Sequence, residues 1–100
     1  MYFLIYEAVP KKGISAYDKY AGAHVACWIN VKKIEVARQK AVTMIQEQGW
    51  KVRKQVEEHT LTREAAEQST GLQYYEQALI DTEVLMFYTH PKKKKILKKL

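Results

Sequence analysis

The sequence predicts an α+β fold: a two-layer sandwich in which a four-stranded sheet carries two to three helices on one face. Two observations predict it. Residues 1–9, 23–31, 50–60 and 83–90 are rich in β-branched and aromatic side chains that fall on alternating faces. Between them lie stretches with helical spacing, so the chain reads β-β-α-β-α(α)-β. No repeat and no domain boundary precedes Pro91, which gives one domain over residues 1–91 and a lysine-rich tail over 92–100.

The first strand is apolar on both sides. Phe3 and Ile5 point one way; Tyr2, Leu4 and Tyr6 point the other, and Pro10 ends the run. Residues 10–22 read as a loop, long for a compact domain, holding Tyr17 and Tyr20. The second strand sets Ala23, Val25, Cys27 and Ile29 against His24, Ala26 and Trp28. With no charged residue on either side, it belongs at the centre of the sheet or under cover on both faces.

Asn30 is placed to cap the main helix through its side chain. Ile34, Ala37, Ala41, Met44, Ile45 and Gln48 give that helix one buried stripe. Gly49 can take the left-handed conformation that stops it, and Trp50 is then set to pack back on Ile45. Trp50, Val52 and Val56 form the inner row of the third strand, broken by Lys54 and Glu58. Thr60 or Thr62 opens a weak helical turn. Thr70 and Gln73 have capping-box spacing for a further helix whose stripe is Leu72, Tyr75, Ala78 and Leu79. The last strand sets Val84, Met86 and Tyr88 against Leu85 and Phe87.

One hundred residues with 47% apolar and 28% charged content make a globular chain that can bury a core without disulfides. One cysteine excludes an internal disulfide and fits a reducing compartment. No basic region precedes the apolar start, Glu7 interrupts it, and no apolar run approaches the roughly 20 residues of a membrane helix. The expected location is the cytoplasm. The net charge is +6, but Lys92, Lys93, Lys94, Lys95, Lys98 and Lys99 all follow Pro91, and residues 1–91 are formally neutral. The basic balance therefore describes the tail, and it supports nucleic-acid binding only through those six lysines.

Chemistry-bearing patterns are sparse. No Gly-rich phosphate loop, nucleophile elbow or acidic catalytic pair is present. Glu57 and His59 share a strand face as metal ligands would, yet no His-x-x-x-His or Cys-x-x-Cys spacing accompanies them, so neither a metal nor a cofactor is expected. Cys27 sits in an apolar row opposite His24 and reads as a small buried hydrophobe.

Helices on one face would leave the other presenting a set such as Tyr2, Tyr6, His24, Trp28, Leu85 and Phe87, or their opposites. Large exposed apolar patches mark partner surfaces. The leading expectation is therefore a non-catalytic interaction module that self-associates as a homodimer. The alternatives are a small-molecule binder or enzyme with a pocket between the 10–22 loop and the sheet, lined by Tyr17, Tyr20, His24 and Trp28, or nucleic-acid binding through the tail.

Overall fold

The computed structural model describes residues 1–92. Eight elements follow in order: β1 (Tyr2–Pro10), α1 (Ala16–Lys19), β2 (Tyr20–Ile29), α2 (Ile34–Glu47), β3 (Trp50–Thr60), α3 (Arg63–Glu67), α4 (Leu72–Asp81) and β4 (Glu83–Pro91). The α+β class and the four-stranded sheet are those the sequence predicts. Every neighbouring pair is antiparallel, in the order β3-β1-β2-β4. The two strands that read as apolar on both sides are the two central ones, as burial on both faces requires.

The helices do not share one face. Register pairs Leu4 with Cys27 and Tyr6 with Val25, and these residues form one core with Ala37, Ala41 and Ile45 of α2. Register also pairs Phe3 with Trp28 and Ile5 with Ala26, and this set packs against Tyr74, Tyr75 and Ala78 of α4. The two-layer arrangement is thus corrected to three layers, α2 on one side and α4 on the other. The cause is in the central strands: a sheet apolar on both faces needs cover on both.

Leu4, Val25, Cys27, Ile29 and Ile45 are sealed from solvent. Burying each of the larger aliphatic side chains contributes about 1.5–3 kcal/mol. At the edge of this core a polar chain ties α2 to the sheet. Arg38 donates from Nε and Nη2 to the two carboxylate oxygens of Glu58 at 2.7 and 2.8 Å, Gln55 donates to Glu58 at 3.1 Å, and the Tyr6 hydroxyl donates to Gln55 at 3.3 Å.

Several local expectations give way. Asn30 does not cap α2; its backbone N–H donates to Thr82 O, and Lys33 stands at the cap with no side-chain bond. Thr62 does cap α3, accepting from the Ala65 N–H at 3.2 Å. Gly71, not Thr70, precedes α4, and the buried stripe of α4 is centred on Ala78, with Leu79 turned out. Val56 leaves the inner row because β3 carries two bulges, one between the partners of Ile5 and Tyr6 and one between those of Glu7 and Ala8. Val56 is the extra residue of the first and is exposed. Among the described residues no helix is long and apolar enough to cross a membrane.

Candidate functional site

Chain reversal after β3 builds the site. The Leu61 N–H donates to Met1 O, which holds the end of β3 beside the start of β1. The chain then passes through α3, turns at residues 69–71 and runs back as α4 over β2 and β4. Ser69 fixes the turn: its hydroxyl donates to Ala66 O at 3.0 Å and accepts from the Gly71 N–H at 3.0 Å. Between this wall and the sheet lies a cavity of about 330 Å³, open to solvent.

Its floor is the second sheet face: Phe3 and Ile5 of β1, and His24, Ala26 and Trp28 of β2. Leu61, Ala65, Tyr74 and the 69–71 turn form the wall, and Tyr88 of β4 closes one side. The aromatic rings pack on one another. Phe3 and Trp28 have centroids 5.0 Å apart, and Trp28 and Tyr74 4.7 Å. Such pairs hold their geometry better than aliphatic contacts do.

Trp28 is 5% exposed, and its indole N–H has no hydrogen-bond partner among the described residues. Among the described residues, every side-chain polar atom that is sealed from solvent has a partner. The indole nitrogen is therefore reached from outside, and the cavity is the space Trp28 borders. A methyl group at Gly71 would sit 3.6 Å from that nitrogen, so the absence of a side chain there leaves it uncovered.

At the other end of the floor His24 meets His90. The Nδ1 of His24 lies 2.8 Å from the Nε2 of His90, with the rings edge-on at 80°. Register explains the meeting: Gly22 lies opposite His90, and His24 opposite Tyr88, so His90 is the diagonal neighbour.

Of the four ligand residues expected from the sequence, the fold brings two together. His24 and Trp28 line the cavity; Tyr17 and Tyr20 do not. The expected pocket between the 10–22 segment and the sheet is corrected on two counts. That segment is not one long loop, since it contains α1 and β2 begins at Tyr20. A register shift between Tyr20 and Gly22 also turns Tyr20 to the opposite face, where it packs on the α2 core. Tyr17 lies under the Lys92 ammonium, 4.7 Å from its ring centre. Ten lining residues, Phe3, Ile5, Leu61, Tyr74 and Tyr88 among them, are not singled out as ligand-binding by the sequence, nor is His90, which contacts His24.

The expected open face also divides. Tyr2, Tyr6, Leu85 and Phe87 belong with the α2 core, while His24 and Trp28 lie across the sheet from them. Since α4 covers part of the second face within the chain, the premise for self-association through that face falls away. Cys27 is buried, and desolvation pushes its thiol up to about 12, which removes it as a nucleophile. His59 and Glu57 do meet, at 3.2 Å, but among the described residues no group of three or more His, Cys, Asp or Glu could hold a metal.

Of the tail, Lys92 is described, and its N–H donates to Lys19 O at 3.2 Å. Lys93, Lys94, Lys95, Lys98 and Lys99 lie outside the described residues. Lys92 does not stand alone at that end of the sheet. The Lys11 N–H donates to Gly49 O, and Lys51 lies opposite Val9, so Lys11, Lys12, Lys19, Lys51 and Lys92 gather at the β1–β2 hairpin end. No family model, curated protein or solved structure matches this chain, so the reading of the site rests on its own geometry.

Proposed function

We propose that this protein binds a small molecule in the cavity between the α3–α4 wall and the sheet. The observation that carries the reading is a tryptophan only 5% exposed, its indole N–H without a partner among the described residues, in the floor of an aromatic-lined space. Ligand sites are mostly apolar clefts with a few polar groups that fix orientation, and about 330 Å³ lies at the small end of their range. A ring laid between Trp28, Phe3 and Tyr74 would displace water from apolar surface without rebuilding the site. The test is an NMR titration with benzyl alcohol, following the two indole N–H resonances. The Trp28 signal shifts with a dissociation constant of about 1 mM or somewhat weaker, as a ligand of this size allows, and the Trp50 signal stays put. Ala26→Phe, which fills the floor, removes the shift. An unmoved Trp28 signal refutes the reading.

The gathered lysines favour a second reading, binding of a nucleic-acid backbone at the hairpin end together with the tail lysines. Phosphate contacts of this kind are lost steeply as salt rises. Fluorescence anisotropy with a labelled single-stranded oligonucleotide tests it. Replacing Lys11, Lys12 and Lys19 with Gln flattens the salt dependence, and binding that ignores both salt and these residues rejects it.

A further inference from the structure

The polar groups around the cavity narrow what it would hold. No lining residue is acidic. The two carboxylates of the same sheet face have partners of their own: Glu7 lies 3.9 Å from the Lys54 ammonium, and Glu57 lies 3.2 Å from the His59 ring. Ser69 is spent on its own turn. What remains is the Trp28 indole, which can only donate, the hydroxyls of Thr70, Tyr74 and Tyr88, and the His24 ring nitrogen that does not face His90.

The His90 contact ties the role of that last nitrogen to the tautomer of the pair. Between His24 Nδ1 and His90 Nε2 one atom donates and the other accepts. When His90 Nε2–H donates, Nδ1 of His24 is an acceptor and the proton of the neutral ring sits on Nε2. His24 then offers a donor from its free edge. When His24 carries a second proton, Nδ1–H donates to His90 and Nε2–H is again a donor. The reverse neutral tautomer presents a lone pair there instead, so the contact admits a donor at His24 Nε2 without fixing one.

His24 and Trp28 are four residues apart on one strand, about 13 Å along the floor, with Ala26 between them. The cavity is thus apolar in the middle, with the indole donor at one end, an imidazole able to donate at the other, and no acidic group in its lining to repel an anion. We propose that its ligand is an aromatic monocarboxylate, its ring against Trp28 and Phe3 and its carboxylate on His24, with His90 as the positioning residue that holds the His24 ring. This assignment rests on the ligand-binding reading above and adds the charge and the direction of the ligand.

Three probes with one ring and different ends test it: 3-phenylpropionate, 3-phenylpropanamide and 3-phenylpropylamine, titrated into the full chain and read at the Trp28 indole resonance. The carboxylate binds about 10-fold tighter than the amine, and the amide falls between them. His24→Ala brings the three affinities within about 2-fold of one another. His90→Ala lowers the carboxylate preference while leaving the amide affinity unchanged, and His90→Gln, which keeps a donor, restores part of the preference. A purely structural role for His90 would weaken all three probes alike. An amine that binds as tightly as the carboxylate, or a preference that survives His24→Ala, overturns the assignment and leaves the cavity reading standing. If none of the three moves the Trp28 resonance, both fall.

Discussion

Gly49→Ala tests how the end of α2 is built. Gly49 has φ +87° and closes the turn into β3. A methyl group there would lie 2.8 Å from Cγ2 and 3.2 Å from Cδ1 of Ile14, a half-buried residue packed on the α2 core. Two costs follow. The left-handed backbone costs an L-residue about 1–2 kcal/mol, partly offset because alanine loses less unfolded-state freedom than glycine. Overlap with Ile14 adds about 1–2 kcal/mol as that side chain is pushed off its rotamer. The sum is about 2–4 kcal/mol for Gly49→Ala. Ile14→Ala alone costs about 1–2 kcal/mol, the lower part of the range for a truncated core residue, because Ile14 is only half buried. In the double variant the overlap has no partner, so its cost falls short of the sum by about 1–2 kcal/mol. Urea denaturation followed by circular dichroism measures all four corners, with equal m-values as the check on two-state behaviour. Single costs that add to within about 0.5 kcal/mol refute the steric part of the argument. A Gly49→Ala cost below about 0.5 kcal/mol refutes the backbone part.

Further outcomes follow from other features. Thr62→Ala removes the cap of α3 and lowers the unfolding free energy by about 1 kcal/mol, read as a urea midpoint; because α3 supports the cavity wall, ligand affinity falls with it. The hydrogen bonds from Arg38 first, then Gln55, hold the Glu58 carboxyl below the usual glutamate range. The stability this carries is present above the unfolded glutamate value, about pH 4.3, and is lost as pH falls through the lower folded value. The stability difference between wild type and Arg38→Leu therefore holds at neutral pH and shrinks as pH falls below about 4.3, and a pH-independent difference contradicts it. Cys27 resists aromatic disulfide reagents at mildly alkaline pH and reacts only at the rate of unfolding; labelling at the rate of a free thiol would place it at the surface. Because α4 covers part of the second sheet face within the chain, sedimentation at about 50 μM returns a monomer, and a dimer at that concentration restores the self-association reading.

The sequence spells out side-chain alternation along each strand, because a period of two survives without knowledge of the partner. Thus Phe3 and Ile5 separate from Leu4 and Tyr6, and Ala26 and Trp28 from Val25 and Cys27, as they do in the structure. It also marks Gly49, where a helical stripe gives way to a strand. What it does not carry is register between distant strands. Whether Tyr2 or Phe3 shares a face with Trp28 depends on how β1 lies against β2, and a shift of one residue inverts the answer. The helix faces were lost for the same reason. The bulges at Val56 and before Gly22 leave no local mark, so Val56 was misplaced in the core and Tyr20 in the pocket. Of the four expected ligand residues, His24 and Trp28 do line the cavity, because they share one face of a single strand. His90 was not legible: it lies 66 positions from His24 and joins it only through the β2–β4 register.

The two-sidedness of β2 has a consequence for how such a chain can change over generations. Neighbouring codons along it answer to different demands. Val25, Cys27 and Ile29 are sealed against α2 and are constrained by foldability. His24, Ala26 and Trp28 look into the cavity and are exposed to selection for whatever enters it. A substitution at position 24, 26 or 28 faces away from the α2 core, so the cavity can be revised one residue at a time without renegotiating the other half of the protein. Loss or gain of a single codon near Ala21 is different in kind: by erasing or moving the register shift there it would exchange the sides of the residues before it, and Tyr20 would pass from the α2 core to the cavity face in one step.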